Sequence, residues 1–140
     1  MYDWFEMPKS FCLVLDYLNG FDLYHITTKY GALSEDLTRT LMLQIIESMQ
    51  RLSRAGIAHR DIKDENIMVD LVSLEVTIID FGCGIEFCKN DIFTTFSGTV
   101  EFYPPEWFHS QFYCPMKGTV WSLGCLLFTF LIDKQKIKTN

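Results

Sequence analysis

The sequence predicts an α+β fold, and three observations predict it. A one-sided helical repeat runs from Leu37 to Leu52. Two short β-prone runs, Ile67-Met68-Val69 and Val76-Thr77-Ile78-Ile79, read as a hairpin. A second helical stretch, Trp121 to Leu131, is apolar nearly all round and reads as a helix in the centre of a domain.

Each element has a local cause. Phe11-Cys12-Leu13-Val14-Leu15 is an apolar run of strand length, followed by Asn19-Gly20 as a turn signal. A short helix is expected over Leu23 to Lys29, ending near Gly31. Ser34 is a good N-cap for the long helix, and Glu35 and Asp36 suit the positive end of its dipole. Leu37, Leu41, Ile45, Met49 and Leu52 then recur at helical spacing, with Met42 and Ile46 beside them, and Gly56 ends the helix in the C′ position. Residues 82–103 show little periodicity and read as a long loop, which in a compact protein is usually functional.

Composition narrows the function. The chain has 140 residues, 49% hydrophobic and 21% charged, enough apolar content to bury a core. A formal net charge of -6 disfavours nucleic-acid binding, which needs basic patches to meet phosphate, and suits a basic partner. The five cysteines are odd in number and none sit at C-x-x-C spacing, which points away from a disulfide framework or zinc site and towards a reducing compartment. The N-terminus lacks a signal-peptide pattern, and the longest apolar run, Val120 to Ile132, is too short to span a bilayer, so no membrane role is expected.

Three segments carry the candidate chemistry: His59-Arg60-Asp61-Ile62-Lys63-Asp64-Glu65-Asn66 after the long helix, Asp80-Phe81-Gly82 after the hairpin, and Gly98-Thr99 followed by Tyr103-Pro104-Pro105-Glu106. These residue types in this order fit phosphoryl transfer. Magnesium takes oxygen ligands, and Asn66 and Asp80 supply them from the two ends of a hairpin. Asp61 is placed to accept the proton of a substrate hydroxyl, and Lys63 to neutralise charge on the transferred group. Read alone, Asp61 and Asp80 are also ordinary turn residues, which leaves Lys63, Asn66 and the third segment without a role.

The ordered set H-R-D-x-K-x-x-N, D-F-G, G-T and P-P-E resembles the eukaryotic protein-kinase signature, and the lysine in D-x-K-x-x-N resembles its serine/threonine branch. Gly31-Ala32-Leu33, H-R-D-I-K-D-E-N, Pro104-Pro105-Glu106-Trp107 and Val120-Trp121-Ser122-Leu123-Gly124 resemble the Pim family, which also lacks the usual Asp where Thr119 stands. The resemblance implies a partial protein-kinase-like α+β fold: the end of the small-lobe sheet plus the first half of a mainly helical large lobe. Residues 1–15 would be the small-lobe remnant, 16–22 the hinge, 23–132 the large lobe, and 133–140 a divergent tail. It implies ATP and Mg as cofactors. Leu15 would be the gatekeeper, Asp16 to Leu18 the hinge contacting adenine, Asp22 the acid near the ribose and Met68 the floor beneath the base. Phe81 and His59 would belong to the internal hydrophobic stack. The implied partners are protein substrates, with Asp22, Asp64 and Glu65 favouring basic residues around the target Ser or Thr. A cytoplasmic or nuclear monomer is implied.

The sequence also departs from the family. The hinge is one residue shorter than in Pim kinases and has no proline, which restores a backbone donor at Leu18. Thr95 replaces an acidic residue, so Thr95 or Thr94 is a candidate phosphosite that pairs with Arg60. The glycine-rich loop and the V-A-I-K lysine are not in this sequence, so the stretch taken alone is expected to be a poor enzyme. The competing reading is a non-catalytic, kinase-like interaction fragment.

Overall fold

The computed structural model describes residues 1–95 and 97–132. The expectation for the tail at 133–140 lies outside the described residues. The chain opens with an antiparallel pair, β1 (Asp3–Met7) and β2 (Ser10–Val14), in which Phe5 faces Cys12. Every residue of this pair is exposed. An irregular stretch then leads to β3 (Phe21–Asp22), α1 (Leu23–Tyr30) and the long α2 (Glu35–Arg54).

The local signals act as expected on the helices. Asp22 caps α1, its Oδ1 accepting the His25 N–H at 2.6 Å, and Gly31 at φ 80° closes the helix. Ser34 caps α2 by accepting the Leu37 N–H at 3.3 Å, with Arg51 and Arg54 in the last turn. Gly56 follows the C-cap at φ 71°, where a side chain would be strained. On α2, Leu41, Met42, Ile45 and Met49 are buried, while Ile46 sits at the exposed edge of the stripe. Each fully buried residue of this kind contributes about 1.5–3 kcal/mol.

After β4 (Ile57–Ala58) the chain runs through a short 3₁₀ turn at Asp64–Asn66 into β5 (Ile67–Val69), which pairs with β6 (Val76–Ile78). The register sets Ile67 against Ile78 and Met68 against Thr77. β3 adds a third strand on the other edge of β5, Phe21 facing Val69. Gln44 of α2 holds the turn end of the hairpin: its amide nitrogen donates to the Leu74 carbonyl at 2.9 Å and its oxygen accepts the Val76 N–H at 3.1 Å.

The long loop is partly ordered by pairing. β7 (Ile85–Glu86) lies against β4, and a 3₁₀ turn spans Val100–Phe102. α3 (Pro105–Ser110) and α4 (Pro115–Leu131) complete the described chain. The main core gathers Leu23, Ile26, Ile62, Ile67, Leu126 and Phe130 around the α2 stripe. A second, aromatic cluster holds Tyr103, Trp107 and Tyr113, with Phe93 packed against it.

The expected start of the apolar helix is corrected. α4 begins at Pro115 rather than Trp121, because proline suits the first helical turn. Only one face is buried, through Leu126 and Phe130, while Val120 and Phe128 are 65% and 63% exposed. They line a cleft of about 640 Å³ with Trp121 and Gly124, rimmed by Glu101 and Glu106.

Candidate active site

The segment 59–66 follows β4 and folds back on itself through its own hydrogen bonds. The His59 ring is buried. Its Nε2–H donates to the Ile79 carbonyl at 3.0 Å, and its Nδ1 accepts the Asp61 N–H at 3.3 Å. That arrangement requires the neutral Nε2–H tautomer. Burial lowers the His59 pKa below its usual value, against the opposing pull of the Ile79 carbonyl, Asp61 and Asp80. The ring also lies against Phe81, centroids 4.7 Å apart. The 59–66 stretch and the residues after β6 are thereby held together.

Asp61 is the hub. Only 8% exposed, it receives Thr99 Oγ1–H on Oδ1 at 2.7 Å and the Asn66 amide on Oδ2 at 3.0 Å. Lys63 Nζ lies 3.2 Å from Oδ2 and donates to Thr99 Oγ1 at 2.8 Å. Burial by itself raises the Asp61 pKa, but the Thr99 hydroxyl, the Lys63 ammonium and the Asn66 amide outweigh it. The carboxyl is held below the usual range. A carboxylate kept ionised beside a hydroxyl and an ammonium has the arrangement needed to orient a reacting hydroxyl.

Asn66 is fixed by its nitrogen. Nδ2 donates to both the Asp61 carbonyl, at 2.9 Å, and the Asp61 carboxylate. That leaves the amide oxygen as the Asn66 atom that could hold a metal. The Asn66 carbonyl accepts the Ile79 N–H at 3.0 Å, which brings the start of the Asp80-Phe81-Gly82 turn alongside. Asp80 is exposed, adopts φ 62°, and accepts the Gly82 N–H on Oδ1 at 3.1 Å. Among the described residues no group of three His, Cys, Asp or Glu could hold an ion by itself. An amide oxygen and a carboxylate are the ligand types magnesium takes, with waters and phosphates completing its shell.

The expected nucleotide-side residues are partly brought together. Tyr17, Leu18, Asn19 and Gly20 face Met68 and Thr77 across a cleft of about 270 Å³. The Leu18 carbonyl accepts the Gly20 N–H at 3.1 Å, and no described residue takes the Leu18 N–H. Gly20 is required here, since a side chain would run into the Val69 carbonyl. Leu15 is 60% exposed and does not line this cleft. The Asp16 carboxylate points instead to the N-terminal ammonium, 3.8 Å away. Asp22 spends one carboxylate oxygen capping α1.

The acidic set is split. Asp64 is buried, which corrects its expected place on an exposed acidic face, because the 3₁₀ turn points it inward. Glu65 stays exposed, with its pKa raised by partial burial and by Asp64. Thr94 and Thr95 are exposed.

Several contacts were not foreseen from the sequence. Gly98, at φ 108°, sits where a side chain would collide with the Arg60 carbonyl. Ser122 of α4 donates to the Phe102 carbonyl at 2.9 Å, fixing the stretch after Thr99. Thr119 turns onto its own helix, donating to the Pro115 carbonyl at 3.0 Å. Arg60, in the left-handed region at φ 66°, donates through Nε to the Cys83 carbonyl at 2.6 Å. The one sequence signal for Gly98 was its place in G-T. The partners of Arg60 and Ser122 gave none.

Comparison with known proteins agrees with this arrangement. The chain matches the protein kinase domain family over residues 1–140. It is 43% identical over 130 residues to the serine/threonine-protein kinase pim-2 of Danio rerio, covering 91% of this chain and 42% of that protein. It is 35% identical over 130 residues to the serine/threonine-protein kinase prk-2 of Caenorhabditis elegans, covering 92% of this chain and 29% of that protein. An Aurora kinase of Dictyostelium discoideum is 32% identical over 140 residues, covering all of this chain and 36% of that protein. The chain thus spans less than half the length of these relatives, and it belongs to the protein kinase domain family.

Proposed function

We propose that this chain carries the catalytic loop and metal-binding turn of an ATP-dependent serine/threonine protein kinase. The observation that carries the reading is the closed set Asp61–Lys63–Thr99–Asn66, with Asp80 one residue beyond the Ile79 whose N–H bonds the Asn66 carbonyl. Asp61 orients the substrate hydroxyl and takes its proton. Lys63 balances charge on the group in transfer. Asn66 Oδ1 and the Asp80 carboxylate would hold magnesium, which when bound neutralises the phosphates of ATP. The backbone at Leu18 and the Met68 side chain bind the adenine in the cleft between them. Leu15, Asp16 and Asp22 do not line that cleft, so their proposed roles rest on the family resemblance alone.

The substrates are proteins. Glu65 and Asp22, with the chain's net charge of -6, favour basic residues around the target Ser or Thr. All five cysteines are free, which fits a monomer in the cytoplasm or nucleus. No helix among the described residues is long and apolar enough to cross a membrane.

The test is phosphoryl transfer from Mg-ATP to an arginine-rich Ser peptide and to its arginine-free counterpart, beside Asp61→Asn. Transfer that favours the arginine-rich peptide and is abolished in the variant is expected. Equal transfer to both peptides would remove the basic preference, and transfer surviving Asp61→Asn would remove the assigned base. A second reading, a non-catalytic kinase-like module, draws on the exposed apolar faces of β1–β2 and α4. It predicts a cooperative fold with no transfer to either peptide.

A further inference from the structure

We propose that Phe93 is a positioning residue: its ring holds the Arg60 guanidinium, and so locks the loop bearing Asp61 to the following segment without a phosphate on Thr94 or Thr95. The proposal rests on the kinase reading above, and it concerns how the site is held rather than the transfer itself.

Arg60 stands between His59 and Asp61 in a strained backbone conformation, φ 66°, which persists only if its surroundings impose it. Three sides do so. Its Nε donates to the Cys83 carbonyl at 2.6 Å. Gly98 packs over its carbonyl so closely that no side chain fits. Its guanidinium carbon lies 5.4 Å from the centre of the Phe93 ring, within reach of a cation–π contact.

Phe93 is itself anchored. It exchanges two backbone hydrogen bonds with Tyr113, at 2.8 and 3.0 Å, forming an isolated bridge between the long loop and the approach to α4. The two rings meet edge to face at 5.8 Å. Tyr113 in turn packs edge to face on Trp107, and Tyr103 packs on both. Tyr103 also exchanges hydrogen bonds with the Ser97 backbone. A rigid aromatic cluster therefore presents one ring to Arg60. The ion pairs of Met1 with Asp16, Arg51 with Glu47, and Lys63 with Asp61 do not involve Arg60. The guanidinium is met by the Phe93 ring, with the Tyr113 hydroxyl as a hydrogen-bond partner. Thr94 and Thr95, next in the chain, stay exposed and take no part.

The test uses the full chain, read by the NMR resonance of the Arg60 Nε–H and by amide hydrogen exchange at Phe93 and Tyr113. A ring face beneath the guanidinium shifts that resonance upfield. Phe93→Leu is expected to abolish the shift and to speed exchange at both amides about two- to fivefold, the factor corresponding to a cation–π contact. Phe93→Trp restores both readings, and Thr94→Ala/Thr95→Ala leaves both as in the parent chain. An unchanged Arg60 resonance in Phe93→Leu, or its loss in the double threonine variant, would overturn the proposal. If Phe93→Leu does not fold, Arg60→Lys reads the contact from the other side. Lysine keeps the charge but not the planar group, so faster exchange is expected and unchanged exchange overturns the proposal. Should Mg-ATP fail to bind while the Arg60 shift persists, the kinase reading falls and the lock stands.

Discussion

Asp61 and Thr99 lie 38 residues apart in the chain, yet the Thr99 hydroxyl donates to the Asp61 carboxylate at 2.7 Å. Lys63 Nζ touches both, so the hydroxyl is a bridge between the acid and the ammonium. Thr99→Val keeps the shape and removes the bridge. Losing a hydrogen bond to a charged acceptor costs about 1.5–3 kcal/mol. The Asp61 pKa should rise in the variant, since a donor that lowers it has gone, and Thr99→Ser should restore it. NMR titration of the Asp61 carboxyl carbon checks this; an unmoved pKa would mean that Lys63 and Asn66 suffice.

The neutral His59 makes stability pH-dependent. Its folded pKa is depressed below 6.5, so as pH falls through 6.5 the unfolded chain takes up the proton first. Stability contributed by the neutral ring is present above 6.5 and is lost as pH drops from 6.5 towards the folded value. Urea melts at pH 7.5, 6.5 and 5.5 should show this decline, and His59→Asn should flatten its slope. An equal slope in the variant would place the proton uptake elsewhere.

The two faces of α4 should answer differently. Phe130 is fully buried, and its carbonyl accepts the Leu33 N–H at 2.8 Å. Phe130→Ala should cost about 3–5 kcal/mol. Phe128 is largely exposed, so Phe128→Ser should change stability by no more than about 0.5 kcal/mol while reducing self-association. Denaturant midpoints and sedimentation measure the two effects separately.

Glycines on the same helix divide in the same way. A side chain at Gly118 would meet the Tyr113 ring at 2.9 Å, whereas nothing lies within 4 Å of one at Gly124. Gly118→Ala should therefore destabilise. Gly124→Ala should stabilise by about 0.5–1 kcal/mol, from the lower helix propensity of glycine alone. Thermal melts decide, and a destabilising Gly124→Ala would contradict the open space around it.

What could be read from the sequence was what is local. α2 was legible because a cap, a 3.6-residue stripe and a terminal glycine agree with one another. The clustering of Asp61, Lys63 and Asn66 was legible because their spacing is short and ordered. β3 and β7 were not, being two residues each and defined only by distant partners. The exposed face of α4 fits the expectation that helices of a partial domain leave apolar patches uncovered, since apolar composition records which surfaces are built for burial, not which are covered here. The inward turn of Asp64 and the aromatic seat of Arg60 depend on backbone geometry that no spacing encodes.

The most direct measurement is the melting temperature of the purified chain with and without Mg-ATP, beside Asp80→Asn. A ligand that binds only the folded state raises it, by an amount that grows with ligand concentration. A rise with Mg-ATP that is lost in Asp80→Asn is the predicted result, because Asp80 and Asn66 are the proposed metal ligands. A cooperative melt that Mg-ATP leaves unmoved would contradict a nucleotide–magnesium site in this chain.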